Sequence, residues 1–281
     1  MASAWSVVDA LTIDDRDAVT RFLGDVERSA NDEALTEDHR ERLERDLDVR
    51  HVLRRRGGRL TGYCVLVEAE PSLGSLDDDL VRTLEGLGRP VRLLVRPATE
   101  TVLASLAARG WRPVRGLRRL RRPLPADPPA PSDLVVRPFE VGRDEAAWVA
   151  ANNAAFAGHP TQSHMTVDKL RARETEPWFD PAGFLLLLDG DELAASCWTK
   201  VHHLDDGDVG EIYVISVVPG AQQHGLGRLA VLHGLAHLSA KGITAAELFV
   251  EDDNDRARAL YAALGFTEVG RVVELRFDPA D

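Results

Sequence analysis

The sequence predicts an α/β protein of two tandem modules, each a mixed sheet flanked by helices, and three observations lead there. A proline-rich stretch divides the 281 residues near the middle. Strand-like and helix-like segments alternate after it, and a motif of the second half recurs in the first. The length exceeds that of a usual single domain, and 44% hydrophobic residues without a long apolar run describe a soluble globular chain.

The break falls where Pro123, Pro125, Pro128, Pro129 and Pro131 remove amide donors and fix φ, so 124–133 reads as a linker between modules 1–123 and 134–281. Beyond it, Leu134 to Phe139 reads as a strand and Asp144 to Phe156 as a helix. Thr166 to Thr175 reads as a second helix, opened by a hydroxyl cap. Gly183 to Leu188, Glu192 to Val201 and Glu211 to Val217 are strand-like, and a helix follows from Gly225 to Lys241. Ala245 to Val250 then forms a strand, Asp255 to Leu264 a helix stopped by Gly265, and Phe266 to Phe277 the closing strands.

In the first half, Ala104 to Trp111 echoes Ala259 to Phe266, and Leu60 to Cys64 echoes Leu193 to Cys197 at a different spacing. The first half is therefore shorter between Cys64 and Ala104, the interval in which the second half carries a glycine-rich loop.

Composition excludes several classes. A net charge of −12 repels a phosphate backbone unless a basic stripe overrides it. One stripe exists, Arg112, Arg115, Arg118, Arg119, Arg121 and Arg122. The interleaved Val114, Leu117 and Leu120 make it a strand or edge with one solvated face rather than a nucleic-acid surface. The start of the chain has neither the basic nor the apolar region of a signal peptide, and no run is long enough to span a bilayer. The expectation is a cytoplasmic protein without a membrane partner. Cys64 and Cys197 sit in apolar runs and read as buried thiols. His233 and His237 lack the rest of a zinc pattern, and His202 to Asp208 lacks the spacing of a calcium loop, so no metal is expected. The turn reads as solvated.

Chemistry concentrates at Val217 to Arg228, where an apolar strand, a turn and glycines run directly into a helix. Glycines let the backbone approach a pyrophosphate, while free amides and the positive helix end offset its charge. Two glycines before a helix also occur as a plain cap. The sequence resembles the GNAT acetyltransferase superfamily, whose acyl-CoA signature is met by Gln222, Gly225 and Gly227. The segment from Asn254 to Phe266 fits its closing pattern. That resemblance implies acetyl-CoA as co-substrate and direct transfer to an amine. Glu211 would be the base that deprotonates the ammonium, and Tyr261 the acid that protonates the departing thiolate. The plainer alternatives are a surface strand end for Glu211 and a core ring for Tyr261. Leu106 stands where Tyr261 would fall in the first half, so that module reads as a degenerate GNAT-like unit.

A closer resemblance is to tandem members of that superfamily that acetylate the cysteinyl amine of a glucosaminyl-inositol thiol. It rests on Asn152 to Pro160, Trp178 to Gly183 and Trp198 to His202. It implies cofactor contacts from Ile215, Ser216 and Val217, from Gln222, Gln223, His224, Gly225, Leu226, Gly227 and Arg228, and from Asn254, Asp255, Arg256, Ala257, Arg258 and Ala259. Acceptor contacts would come from Glu37, His164, Lys200, Glu211 and Phe249, on a small-molecule thiol pseudodisaccharide bound by a monomer. Glu37 reads equally as part of a solvated acidic helix face. Phe249 stands where a tyrosine is expected, and His164 where a small or acidic residue is expected. Two other functions stay open: an acetyltransferase for a peptide, antibiotic or polyamine amine, and a non-catalytic acyl-CoA-binding protein. Cys197 as an acyl-carrying nucleophile is a further minority reading.

Overall fold

The computed structural model describes residues 5–30, 35, 43, 50–66, 69–71, 76–157, 164–204, 207–222 and 225–279. The first half supplies β1 (Trp5–Val8), α1 (Ile13–Ala30), β2 (His51–Arg56), β3 (Arg59–Leu66), β4 (Ala69–Pro71), α2 (Asp78–Glu85), β5 (Val91–Val95), α3 (Glu100–Ala108) and β6 (Arg112–Pro123). The second supplies β7 (Val135–Pro138), α4 (Glu145–Ala155), α5 (Val167–Glu174), β8 (Phe184–Asp189), β9 (Glu192–His202), β10 (Val209–Val217), α6 (Leu226–Ala240), β11 (Ala245–Glu251), α7 (Asp255–Ala263) and β12 (Thr267–Phe277).

Local chemistry sets the ends of these elements. Thr166 Oγ1 accepts from the Lys169 amide at 3.2 Å to open α5, and Asn254 Oδ1 accepts from the Ala257 amide at 3.0 Å to open α7. Gly265, at φ +81°, ends α7 in the left-handed region that a β-carbon disfavours. The closing strands expected from Phe266 to Phe277 are one strand, β12, with a bulge between Glu268 and Gly270. The echo between halves is structural, since Trp111 and Phe266, each following a helix and its glycine, are both buried. The shorter interval is visible as a three-residue β4 against a nine-residue β10, and an eight-residue α2 against a fifteen-residue α6.

The two sheets run together as one of twelve strands, ordered β1-β2-β3-β4-β5-β12-β6-β11-β10-β9-β8-β7. Each half lends its last strand to the other: β12 lies between β5 and β6, and β6 between β12 and β11, all antiparallel. The arginine stripe is therefore an interior strand, not an edge. Its charges are largely matched by acids of the second half: Arg115 by Glu251 at 2.5 Å, Arg118 by Asp252 at 2.8 Å and Glu268 at 2.5 Å, and Arg119 and Arg121 by Glu247. Of the interleaved apolar residues Leu120 is buried, Leu117 half-buried and Val114 exposed, and periodicity could not supply partners this distant in sequence.

Alternation along the strands splits the core into two layers. On one face α6 and α7 cover Cys197, Ile212, Ala246, Leu248 and Val250, while α2 and α3 cover Val52, Cys64, Leu93 and Val273. On the other face α1 covers Leu53, Tyr63 and Val65, and α4 and α5 cover Phe184, Leu186 and Trp198. Phe184 stacks on Trp198 at 4.4 Å between centroids, and Trp148 meets Trp198 edge-on at 5.7 Å.

The α6 helix lies close to the sheet because Gly234 has no side chain: a β-carbon there would land on Cys197 Sγ, with Ile212 Cδ1 at 3.0 Å. Gly234→Ala is therefore expected to cost about 1–3 kcal/mol through overpacking. Part of that loss should return in the Gly234→Ala/Cys197→Ala pair, which urea unfolding of the two variants will read directly.

Candidate active site

The site begins where two parallel strands part. β10 and β11 pair only at Gly210 with Ala246 and Glu211 with Glu247. Beyond that point β10 stays paired to β9 as far as Val217 opposite Ala195, while β11 stays paired to β6 as far as Glu251 opposite Leu117. A bulge between Ile212 and Val214 sends both Tyr213 and Val214 toward the aromatic cluster and re-aims β10. The result is a slot walled by two strand edges whose backbone groups do not pair with each other.

At the end of the slot the chain turns through Pro219–Ala221 into α6, whose N-cap is Gly225 at φ +78°. Among the described residues no side chain caps this helix, and its first-turn amides lie at the turn. Gln222 Nε2 donates to the Val217 carbonyl at 3.4 Å, tying the turn to the end of β10. Leu226 packs on the core under α6, and Arg228 is exposed beside the turn. Gly227 lies between β10 and α7, where a β-carbon would stand 3.6 Å from Leu260 Cδ2 and 3.8 Å from Val217 Cγ2. Gln223 and His224 lie outside the described residues.

Of the β10 residues expected at the cofactor, Ile215 and Val217 pack on the α6 side. Ser216 is buried and turned the other way, its hydroxyl 2.8 Å from Ser196 Oγ, which accepts from Trp148 Nε1 at 2.9 Å. Its side chain is committed to the core, leaving its backbone at the slot. On α7, Asn254 is the cap, Asp255 pairs with Arg258 at 2.8 Å, Ala257 packs on the core, and Arg256 and Ala259 are exposed.

Glu211 is the last residue of β10 before the strands part. It lies opposite Lys200 of β9 and is buried, with its carboxylate Oε2 2.7 Å from His202 Nε2. Lys200 is buried on the same face, its ammonium 4.7 Å from the Trp178 ring centroid and 5.7 Å from that of Tyr213. Arg173 of α5 donates to the Tyr213 hydroxyl. Next to Glu211 across the ladder, Glu247 accepts from Arg119 Nη2 at 3.0 Å and Arg121 Nη2 at 2.8 Å, so its charge is matched by two guanidinium groups. Phe249, two residues on, is 42% exposed on this face with Arg119 over its ring.

Tyr261 lies under the opposite face, its ring buried against Phe266 at 5.9 Å and within the cluster that holds Cys197 and Ile212. Its hydroxyl makes no hydrogen bond among the described residues. Burial, with a smaller contribution from Cys197, holds the phenol above the ordinary tyrosine range, so it stays protonated. Burial pushes the Cys197 thiol up to about 12, which disfavours its thiolate form at neutral pH.

The structure thus brings Glu211, Lys200 and Phe249 to one face of the slot and Tyr261 to the other. It does not bring His164 there: that side chain is exposed in the turn before α5, where its carbonyl accepts from Lys169 Nζ at 3.3 Å. Glu37 lies outside the described residues. Sequence reading missed His202 as a site residue by assigning it to a solvated turn. The signal available was its alternation with Trp198 and Lys200, which sends all three to one face.

Comparisons with known proteins show the family and the fold. Residues 128–266 match the acetyltransferase (GNAT) family. The chain is 41% identical over 250 residues to the mycothiol acetyltransferase of Catenulispora acidiphila, covering 79% of this chain and 80% of that one. It is 37% identical over 306 residues to that of a Parafrankia species, covering 94% and 95%. Among solved structures, a GCN5-related N-acetyltransferase from Sphaerobacter thermophilus superposes with a TM-score of 0.66 at 19% identity, covering 99% of this chain and 97% of that one. A tandem GNAT protein from the clavulanic acid biosynthesis pathway does so with a TM-score of 0.66 at 18% identity, covering 99% and 100%. Both share the fold.

Both described cysteines are buried, and burial raises both thiols. Iodoacetamide at pH 8 should therefore leave the native protein unlabelled and add two groups after guanidinium unfolding, counted by intact-mass spectrometry. Labelling of Cys197 in the native state would restore the covalent reading.

Proposed function

Because the chain belongs to the GNAT acetyltransferase family, and within it to the mycothiol acetyltransferases, we propose that it transfers acetyl from acetyl-CoA to the cysteinyl amine of a cysteinyl-glucosaminyl-inositol, giving mycothiol. The observation that carries this reading is the slot itself, with a carboxylate on one face and an unengaged phenol under the other. A thioester lying along the slot would meet both.

In this reading the pyrophosphate of acetyl-CoA rests on the glycine-rich segment 222–228, including the first-turn amides of α6. The pantetheine arm runs between the β10 edge at Ile215 to Val217 and the start of α7 at Asn254 to Ala259. The acceptor amine enters from the face of Glu211, Lys200 and Phe249, where Glu37 is the further acceptor contact implied by resemblance. Glu211 takes a proton from the ammonium, directly or through a water. The freed amine adds to the thioester carbonyl, and the tetrahedral intermediate collapses with the C–S electron pair leaving on sulfur. The thiolate then takes the Tyr261 proton, and the second proton of the attacking nitrogen, acidic once the C–N bond has formed, passes through water to the tyrosinate and leaves a neutral amide. Glu211 and Tyr261 are both buried, which limits the water around the reacting atoms. We read the chain as a degenerate module 1–123, a linker 124–133 and a catalytic module 134–281, acting as a cytoplasmic monomer that binds one acetyl-CoA.

A second acceptor class is favoured by one observation: Phe249 is exposed on the acceptor face and cannot hydrogen-bond a sugar hydroxyl. Acetylation of a peptide or polyamine amine, with none of the cysteinyl-glucosaminyl-inositol, would replace the acceptor while leaving the enzyme class intact.

Mass spectrometry of acetyl-CoA reactions with the purified acceptor tests the proposal. Glu211→Gln should lower kcat by about 100-fold or more with acetyl-CoA affinity unchanged by calorimetry, and Tyr261→Phe should lower kcat in the same sense. Equal loss of turnover and acetyl-CoA binding in Glu211→Gln would make that residue structural.

A further inference from the structure

The proposed base is itself held by a second side chain. His202 ends β9 opposite Val209, one alternation from Lys200, and its imidazole reaches diagonally across the ladder to Glu211. The Nε2 to Oε2 separation of 2.7 Å is that of a charge-assisted hydrogen bond, and the side chains are 14% and 12% exposed. Glu211 makes no other hydrogen bond or ion pair among the described residues, so Oε1 is uncommitted.

The neighbouring charges are occupied elsewhere. Lys200, opposite Glu211 in register, places its ammonium over Trp178 and Tyr213. Arg119 and Arg121 of β6 close on Glu247 of β11. Arg173 of α5 closes on Tyr213. Among the described residues, the imidazole is the side chain that fixes the Glu211 carboxylate.

We infer that His202 is a positioning residue for the acetyl transfer, holding Glu211 by Oε2 so that Oε1 is presented to the acceptor amine. The inference rests on the reading of Glu211 as the base. Its Nε2–H donates to Oε2 throughout. The proton leaving the ammonium goes to Oε1, and no proton leaves the imidazole. Without this contact the carboxylate can rotate about its own side-chain torsions, and the amine meets a base without fixed geometry. A base moved by about 1 Å loses on the order of 100-fold in rate without losing its chemistry.

The test uses the full chain with acetyl-CoA and cysteinyl-glucosaminyl-inositol, comparing His202→Ala, His202→Gln, Glu211→Gln and the double variant His202→Ala/Glu211→Gln. Melting temperature and acetyl-CoA affinity by calorimetry serve as controls. His202→Ala should lower kcat by about 10- to 100-fold with acetyl-CoA affinity unchanged. His202→Gln, whose amide can donate to the same oxygen, should recover most of that loss. The double variant should be no slower than Glu211→Gln alone, because both losses act through one group. Wild-type kcat in His202→Ala, losses that multiply in the double variant, or a His202→Ala defect shared with acetyl-CoA binding and not recovered by glutamine would each overturn the inference. Glu211→Gln at wild-type turnover would instead overturn the reading of the base, and the inference with it. A slow Glu211→Gln beside an unaffected His202→Ala overturns the inference alone.

Discussion

The slot can exist because β6 holds β11 from behind. A strand with one open edge needs its other edge paired, since each unpaired backbone group shielded from water costs about as much as a lost hydrogen bond. β11 is paired to β6 from Ala245 through Glu251 but to β10 only at Ala246 and Glu247. β6 comes from the first half of the chain, so the far wall of the candidate site is anchored by the first half. The contact of Glu247 with Arg119 and Arg121 fastens that wall beside Glu211, the last point at which the two parallel strands touch.

The same arrangement separates the proposed chemistry by face. Alternation sends Glu211 toward α4 and α5 and its neighbour Ile212 toward α6, while Tyr261 comes up from α7 beneath Ile212. A base and an acid on opposite sides of a strand gap cannot exchange a proton with each other. A bound thioester would lie between them, receiving the amine from one side and a proton for its sulfur from the other. Burial strengthens the division by keeping the phenol protonated, and His202 occupies one carboxylate oxygen on the acceptor face.

Features encoded by local spacing were legible in the sequence. The cap at Thr166, the stop at Gly265, the glycine turn before α6 and the order of strands after residue 134 follow from short-range rules. Glu211 and Tyr261 were named from motif positions, and the fold places them on the two faces of the slot. What lay beyond local spacing was partnership at long range. The arginine stripe has the pattern of a solvated edge, because its acids lie more than a hundred residues away in sequence. The exchange of β6 and β12 leaves no trace in periodicity, which fixes the face of a side chain but not the neighbour of a strand. The bulge at Tyr213 likewise depends on β9 across the ladder. His202 was hidden differently: it closes a strand and opens a turn of polar residues, and the same histidine reads as solvated or buried depending on where β9 ends.

For the first half, this distribution of contacts sets which strands the second half depends on. Its β4 is three residues long and meets β5 at a single pair, Ala69 with Leu93. Glu70 on that strand is fully buried and ion-paired to Arg96 at 3.1 Å. A buried ion pair is costly to break by removing one partner, which makes this contact a fixed part of the core rather than a place for a ligand. The strands that the second half depends on are β5 and β6, which flank β12 and support β11, and both keep full ladders. Losing β6 would expose the edge of β11 and leave Glu247, buried beside the proposed base, without either guanidinium. The scaffold role of the first half is therefore physically independent of any catalytic role, and the constraint on it lies in its last strand.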